Sequence, residues 1–193
     1  METPRAQSRF EGLFSSSLGN QRTAESSALE EEVTALFDDL RSPLHRYLAS
    51  FGLTIQDREE VIQEVFLSLF LHLRSGKPRT NLRGWIFRVA HNLGLKCRDR
   101  NQRTLKIVSS ADPLSIESHM DEAPDPEQHT SSIQHRERLL AIVKVLPEQD
   151  RQALFLRAEG LRYREIAQVL GISLGGVALS ITRALARLRH AEV

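Results

Sequence analysis

Apolar residues recur at helical spacing in several stretches of the chain, and no stretch shows the period-two alternation of a sheet strand. In the N-terminal half, this spacing predicts a helix over about residues 30–48, a second after Thr54 and a third after Asn81. Thr and Asn commonly cap helix N-termini through their side-chain oxygens. Pro43 lies inside the first stretch and lacks a backbone N–H donor, so it should kink or split that helix.

The C-terminal half contains a pair of helical patterns joined at a glycine. The spacing predicts a helix over residues 133–145, another opening at Pro147, and then two within residues 160–189, GLRYREIAQVLGISLGGVALSITRALARLR. Gly171 supplies the turn, and Ser173 can cap the last helix. A helix, a glycine-containing turn and a second helix form the helix-turn-helix arrangement, whose second helix enters the DNA major groove.

An ordinary helical hairpin is the alternative interpretation of this pair. DNA binding is favoured because five positions carry residue types that suit a helix-turn-helix motif. These are Ala167, Gly171, Ile172, Ser173 and Val177.

Two segments lack any helical periodicity. Residues 1–28 are rich in Ser, Gln, Gly and Arg, and we expect a disordered extension. Residues 105–132 are acidic and contain three prolines, so they are expected to form a flexible linker. The expected fold is therefore all-α, with two small helical domains, 29–104 and 133–193, joined by a flexible acidic linker, and a helix-turn-helix in the second.

The formal net charge of the 193 residues is only +1, but the charges are segregated. Residues 74–103 hold nine Lys or Arg against one acid, a local net charge of +8. Residues 105–135 hold one Lys against six acids, a local net charge of −5. A basic block beside an acidic tether suggests that the basic block binds a polyanion.

The composition argues against several classes of protein. No apolar run is long enough to cross a bilayer, and the first residues lack a secretory signal, so we expect a cytoplasmic protein without membrane insertion. The single Cys97 excludes an internal disulfide. The seven histidines are scattered, and no pair of them stands at metal-ligand spacing with a carboxylate. The sequence also has no glycine-rich phosphate loop. We therefore expect no enzyme activity, no catalytic residue, no metal and no cofactor.

The second predicted helix carries an acidic stripe. Asp57, Glu60 and Glu64 stand at i, i+3 and i+7, with Gln63 beside them and the apolar positions on the other side. A solvated helix face is the usual explanation of such a stripe.

The third predicted helix combines aromatic residues with cations. Trp85 and Phe87 stand among Arg and Lys residues in NLRGWIFRVAHNLGLKCRDRNQR. This mixture suits a nucleic-acid strand, because rings stack on unpaired bases while cations hold phosphates. Core packing of Trp85 is the alternative, since Trp85, Val89 and Leu93 share helical spacing.

Together these stretches resemble the bacterial sigma factors, specifically the small extracytoplasmic-function (ECF) group. The resemblance covers about residues 30–104 and 135–190. Its first anchor is DREEVIQEVF followed by LRGWIFRVAHNLGLKCRDR. Its second anchor is LPEQDRQALFLRAEGLRYREIAQVLGIS, which leads into the last helix.

The resemblance implies a function in transcription initiation. The first domain would bind the clamp helices of core RNA polymerase and open the −10 promoter element, and the second would read the −35 element. The acidic linker would lie along the RNA channel of the polymerase. Core RNA polymerase, promoter DNA and an anti-sigma factor are the implied partners. The implied polymerase contacts are Asp57, Glu60, Gln63 and Glu64. The implied contacts to the −10 element are Arg83, Trp85, Arg88, Asn92, Lys96 and Arg98.

The last helix presents few hydrogen-bonding side chains to DNA. Its 3.6-residue period and its capping position give the candidate −35 residues Ser173, Gly176, Leu179, Ser180, Arg183 and Arg187. On this face only Arg183 can make a bidentate contact to guanine, and Leu179 could at most touch a thymine methyl.

Two features depart from the resembled family. Its reading helix commonly begins Gly-Thr-Val-Lys-Ser-Arg, whereas residues 175–180 are GGVALS, so two cations and two hydroxyls are missing. Arg162 stands where a capping Ser or Thr is usual. We therefore expect weak −35 binding by the isolated domain.

A helix-turn-helix transcriptional regulator with an N-terminal sensor or interaction domain is the competing interpretation. It accounts for residues 160–189 but leaves the acidic stripe and the basic aromatic helix unexplained. The two interpretations differ in whether the protein binds core polymerase in the absence of DNA.

Overall fold

The computed structural model describes residues 7–111, 141, 143 and 145–190, with side chains described for 26–105, 141, 143 and 145–190. The part of the chain so described contains helices and no strand, and the prediction of an all-α fold is confirmed. The helices are α1 (Gln7–Ala49), α2 (Ile55–Arg74), α3 (Leu82–Ala111), α4 (Glu148–Ala158), α5 (Tyr163–Leu170) and α6 (Leu174–His190). Most of the predicted linker and of the predicted 133–145 helix lies outside the described residues.

The first three helices pack against one another around an apolar core. Tyr47 and Phe87 are wholly buried there, and their rings meet edge to face with centroids 5.7 Å apart. Both predicted caps of this half are confirmed. The Thr54 hydroxyl accepts the N–H of Asp57 at 3.1 Å, and the Asn81 side chain accepts the N–H of Gly84 at 3.2 Å.

Helix boundaries differ from the sequence prediction at three places. α1 begins at Gln7, inside the predicted disordered extension, and it continues through Pro43 to Ala49. α3 continues to Ala111, seven residues into the predicted linker. Once a helix has formed, each residue added at its end gains one backbone hydrogen bond. A helix can therefore extend into a segment whose sequence shows no apolar periodicity. Leu40 and Leu44 are buried on either side of Pro43, and this packing holds the helix across the proline.

The last three helices form the C-terminal half. α4, α5 and α6 all contact one another, and Leu156, Ile166 and Val177 are buried between them. Among the described residues no single helix is long and apolar enough to span a membrane. Taken together, α5 and α6 have the length and apolar composition of a membrane span, but they are bent by 99° at the turn between them.

The two halves of the chain are docked against each other. α3 packs on α5, α1 packs on α4, and one hydrophobic cluster includes buried residues of both halves. Arg46 binds the Glu159 carboxylate through two nitrogens at 2.9 and 3.1 Å, and Arg83 donates to the Glu159 carbonyl at 2.8 Å. Arg151 donates to the Ser50 carbonyl at 2.8 Å. The sequence predicted two domains on a flexible linker, and it did not predict this contact between them.

Reversing the charge at Glu159 should separate the halves. The Glu159 side chain is only 10% exposed and sits between two arginines, so Glu159→Lys replaces attraction with repulsion in a partly desolvated site. We expect the radius of gyration in small-angle X-ray scattering to rise by a few ångströms while helical content is retained. Glu31→Lys, at an exposed position of α1, is the matched control. An unchanged radius in Glu159→Lys would show that this ion pair does not hold the halves together.

Candidate polymerase and DNA interfaces

The acidic stripe of α2 divides into exposed and engaged residues. Glu60, Gln63 and Glu64 are exposed. The Asp57 side chain is 16% exposed and accepts hydrogen bonds from Thr54 and Asn101, each at 2.9 Å. Burial raises the pKa of Asp57, but its hydrogen bonds outweigh burial and hold that pKa below its usual value. Asp57 thus joins the start of α2 to α3, and the free acidic surface consists of Glu60, Gln63 and Glu64.

An open groove separates this acidic surface from α3. Glu60 and Glu64 lie on the α2 side, and Lys96, Arg100 and Arg103 lie on the α3 side. The Arg100 guanidinium is 3.8 Å from the Glu60 carboxylate, and both side chains are more than half exposed. Such a pair contributes little to stability, so it leaves the Glu60 carboxylate available to a partner.

Four of the candidate −10 residues share one face of α3. Trp85, Arg88, Asn92 and Lys96 are spaced by three or four residues, which places them in a single stripe. Arg88, Asn92 and Lys96 are exposed. Trp85 is partly buried, packs against the core, and its ring centroid lies 4.7 Å from that of His72. The stripe therefore combines cations and an amide with one edge of an aromatic ring.

The other two candidate −10 residues face the C-terminal half. Arg83 donates to the Glu159 carbonyl and lies 3.3 Å from Asp39, and Arg98 is paired with Glu148. In this docked arrangement both guanidinium groups have internal partners, although the Arg83 side chain is still 41% exposed. The expectation that the Phe87 ring could stack on a base is wrong, because Phe87 is wholly buried in the core.

The C-terminal half has helix-turn-helix geometry. α5 and α6 are bent by 99° at a turn in which Gly171 has a φ of +66°, a left-handed conformation that favours glycine. The Ser173 hydroxyl accepts the N–H of Gly176 at 3.0 Å, which confirms the predicted cap of α6. The Arg162 side chain has no acceptor to cap α5, and the Glu165 carboxylate instead accepts the Arg162 backbone N–H at 2.6 Å.

The exposed face of α6 differs from the predicted one at Ser180. Leu179 is 54% exposed, Gly176 is partly exposed and Arg187 is exposed. Ser180 is wholly buried, and its hydroxyl accepts from the Gln149 side chain of α4 at 3.0 Å. Its placement on the DNA-facing flank was wrong, because α4 covers that side of α6.

Arg183 is bound within the protein. Its guanidinium makes two hydrogen bonds to the carboxylate of Asp150, at 3.1 and 2.7 Å. The Asp150 side chain is wholly buried and has Arg187 as a second cation at 3.9 Å. Hydrogen bonding to Asp150 raises the pKa of Arg183 above its usual value. Nε and one Nη nitrogen hold Asp150, so a guanine could be met only by the remaining N–H groups of the guanidinium, in the orientation that Asp150 fixes.

Asp150 is a residue whose role the sequence analysis missed. It stands near the start of a helix, where an acid is explained by the helix dipole alone. Its partner is 33 residues away, and no local pattern indicates the pairing. The interdomain contacts of Glu148 and Glu159 were missed for the same reason.

The part of the chain that the structure describes offers no cluster of three His, Cys, Asp or Glu side chains that could hold a metal ion. Cys97 is buried, and its pKa is raised by burial and by the nearby Asp57 carboxylate. A thiol in this state is a poor nucleophile.

Comparison with known proteins identifies the family. Residues 36–104 match Sigma-70 region 2, and residues 136–188 match Sigma-70 region 4. The chain is 30% identical over 146 residues to the RNA polymerase sigma factor CnrH of Cupriavidus metallidurans, and the match covers 72% of this chain and 75% of CnrH. The chain belongs to the ECF group of RNA polymerase sigma factors. In this sigma factor, region 2 includes α2 and α3 as far as residue 104, and region 4 includes α4, α5 and α6 as far as residue 188.

Two further similarities bear on this sigma factor. The ECF RNA polymerase sigma factor SigE of Mycolicibacterium smegmatis is 34% identical over 134 residues, which is 69% of this chain and 51% of SigE. The matched part therefore spans about half the length of that relative. The fold resembles the sigma factor RpoE, solved in complex with the anti-sigma factor NepR from Bartonella quintana. The TM-score is 0.61 at 18% identity, covering 83% of this chain and 96% of RpoE.

Removing the Arg183 side chain should destabilise the C-terminal half. Arg183→Ala leaves the buried Asp150 carboxylate with only the 3.9 Å contact to Arg187, so we expect the thermal midpoint to fall by roughly 5 °C or more. Thr182→Ala, at the adjacent exposed position, is the control and should leave the midpoint nearly unchanged. Thermal unfolding followed by circular dichroism measures both. Equal midpoints in the two variants would show that Asp150 does not depend on Arg183.

Proposed function

We propose that this chain is an ECF sigma factor that binds core RNA polymerase, directs it to specific promoters and assists DNA melting for transcription initiation. The observation that carries the proposal is the presence, in one chain and in this order, of region 2 and region 4. The protein would be an initiation factor without enzymatic activity or cofactor. It would act in the cytoplasm, where the polymerase transcribes.

Polymerase binding is assigned to the acidic surface of α2. Glu60, Gln63 and Glu64 are exposed even while the two halves are docked, and Arg100 engages Glu60 only loosely. Asp57 would act indirectly, because its bonds to Thr54 and Asn101 fix the start of the helix that carries these three residues. A surface of this charge suits a basic or amide-rich partner surface.

Melting of the −10 element is assigned to the exposed stripe of α3. Arg88 and Lys96 can hold phosphates, Asn92 can hydrogen-bond to an unpaired base, and the edge of Trp85 can contact a flipped or unstacked base. Arg83 and Arg98 would join this surface when the two halves separate and release them from Glu159 and Glu148. Opening of the docked arrangement would therefore add two cations to the DNA-binding surface of α3.

Reading of the −35 element is assigned to α6. The Ser173 end of the helix and the Leu179 face would enter the major groove, with Gly176 allowing a close approach and Arg187 near a phosphate. Arg183 stabilises the helix through Asp150 and contributes less to reading than its position in the sequence suggests.

An anti-sigma factor is proposed as a regulatory partner. The structurally similar RpoE was solved with the anti-sigma factor NepR bound. A partner that stabilises the docked arrangement of the two halves would keep Arg83 and Arg98 covered by the C-terminal half.

The acidic surface can be tested by charge reversal. Replacing Glu60 and Glu64 together by Lys should abolish capture of core RNA polymerase in the absence of DNA, because the surface changes sign while the buried positions of α2 are untouched. Replacing Glu31 and Asp38, exposed acids of α1, by Lys is the matched control and should leave capture intact. A regulator with an N-terminal sensor domain would fail to bind core polymerase in every version, the unmodified protein included.

The exposed stripe of α3 can be tested by separating binding from melting. Replacing Arg88 and Asn92 by Ala should reduce the permanganate reactivity of unpaired thymines in the open complex more than it reduces initial promoter binding. Gln102→Ala, also exposed on α3, should change neither. Equal loss of melting and of initial binding would make the stripe a contact to duplex DNA.

A further inference from the structure

The first two turns of α6 offer no side-chain hydrogen bond to a base. Residues 174–181 read LGGVALSI and contain no charged residue. Their single hydroxyl, on Ser180, is buried and bonded to Gln149. A recognition helix contacts base edges chiefly with its N-terminal residues, so side-chain hydrogen bonds to bases are left to Ser173 before these turns and to Thr182 and the arginines after them.

The next candidate reader is committed elsewhere. Arg183 makes two hydrogen bonds to Asp150, whose side chain is wholly buried. This ion pair fixes the direction of the guanidinium, and its remaining N–H groups can meet only a guanine that lies along that direction. Arg183 is therefore less adaptable as a reader of guanine than an arginine without an internal partner.

Leu179 is the most exposed apolar side chain of α6, ahead of Leu174 in the first turn, which is 48% exposed. Leu179 is 54% exposed, and Gly175 stands one turn before it on the same stripe. A Cβ atom at Gly175 would meet only the Ser173 hydroxyl, at 4.0 Å, so packing within the protein does not require glycine there. The missing side chain leaves room for the helix to lie deep in the groove with Leu179 against the base edges.

Thymine alone presents an apolar group, its C5 methyl, in the major groove. We propose that Leu179 reads a thymine methyl in the −35 element, so that this sigma factor selects a T at that position by van der Waals contact in place of hydrogen bonds to guanine. This inference rests on the proposed function and adds the base that the second domain prefers.

The test uses holoenzyme assembled from core polymerase and the full chain. Bound sequences are first selected from a duplex library randomised across the upstream promoter region. In the selected site, each thymine is then replaced singly by deoxyuridine, which removes the methyl and keeps the base-pair hydrogen bonds. We expect one upstream replacement to weaken binding by about fourfold, the contribution of one buried methyl.

Two leucine variants assign the effect to a side chain. In Leu179→Ala, replacement of that thymine by deoxyuridine should no longer change the affinity. Leu185→Ala removes another exposed leucine of α6, 42% exposed, and should retain the fourfold effect. Both positions are on the surface, so both variants are expected to fold.

Three outcomes would overturn the inference. Deoxyuridine at every position could leave binding unchanged, or the selected sites could require a guanine for which Arg183→Lys, which keeps a cation beside Asp150, loses the preference without losing binding. In the third, deoxyuridine has no effect and Leu179→Ala weakens capture of core polymerase without DNA, which would make the apolar face a protein contact. Failure of the proposed function is distinct, because then the unmodified chain would form no holoenzyme.

Discussion

Three arginines that are predicted to contact promoter DNA are bound by other parts of the same chain, and these internal bonds decide which surfaces the protein can present. Arg83, Arg98 and Arg183 all stand where DNA contacts are expected. In the structure each is bound by another part of the same chain: the Glu159 carbonyl, Glu148 and Asp150, respectively. Arg88 lies between the first two and remains exposed. The electrostatic character of each half thus depends on its internal partners as well as on its own composition.

These pairings differ in how readily they can be exchanged for phosphate. The side chains of Arg98 and Glu148 are 26% and 43% exposed, so water screens their attraction and can replace it when the halves part. Asp150 has no exposed side-chain surface, and a carboxylate in such a site must keep a cation. The Arg98–Glu148 pair is consequently reversible, whereas the pair within the C-terminal half is part of its fold.

Features set by neighbouring residues could be predicted from the sequence. The caps by Thr54, Asn81 and Ser173 require only a side-chain oxygen and a helix that starts at the next residue. The all-α class followed from the apolar spacing, because that spacing records which helix face is buried. The family resemblance, which was also visible in the sequence, is confirmed by the matches to regions 2 and 4.

Features set by packing between distant segments could not be predicted in this way. Ser180 and Arg183 have the spacing of a DNA-facing flank, and only the position of α4 reveals that one is buried and the other is bound to Asp150. Phe87 was likewise predicted to be available to a base, but the ring of Tyr47 from α1 packs against it in the core. The polymerase and DNA contacts themselves remain predictions, since they depend on surfaces of other molecules.

The docking of the two halves also bears on where the free protein resides in a cell. Chromosomal DNA is a vast excess of phosphate, and an open cluster of arginines would hold an idle factor on arbitrary sequence. With Arg83 and Arg98 bonded to the C-terminal half, the unassembled chain presents fewer free guanidinium groups to bulk chromosome than a chain with separated halves would. Meanwhile Glu60 and Glu64 stay exposed, so an encounter with polymerase can precede any encounter with DNA.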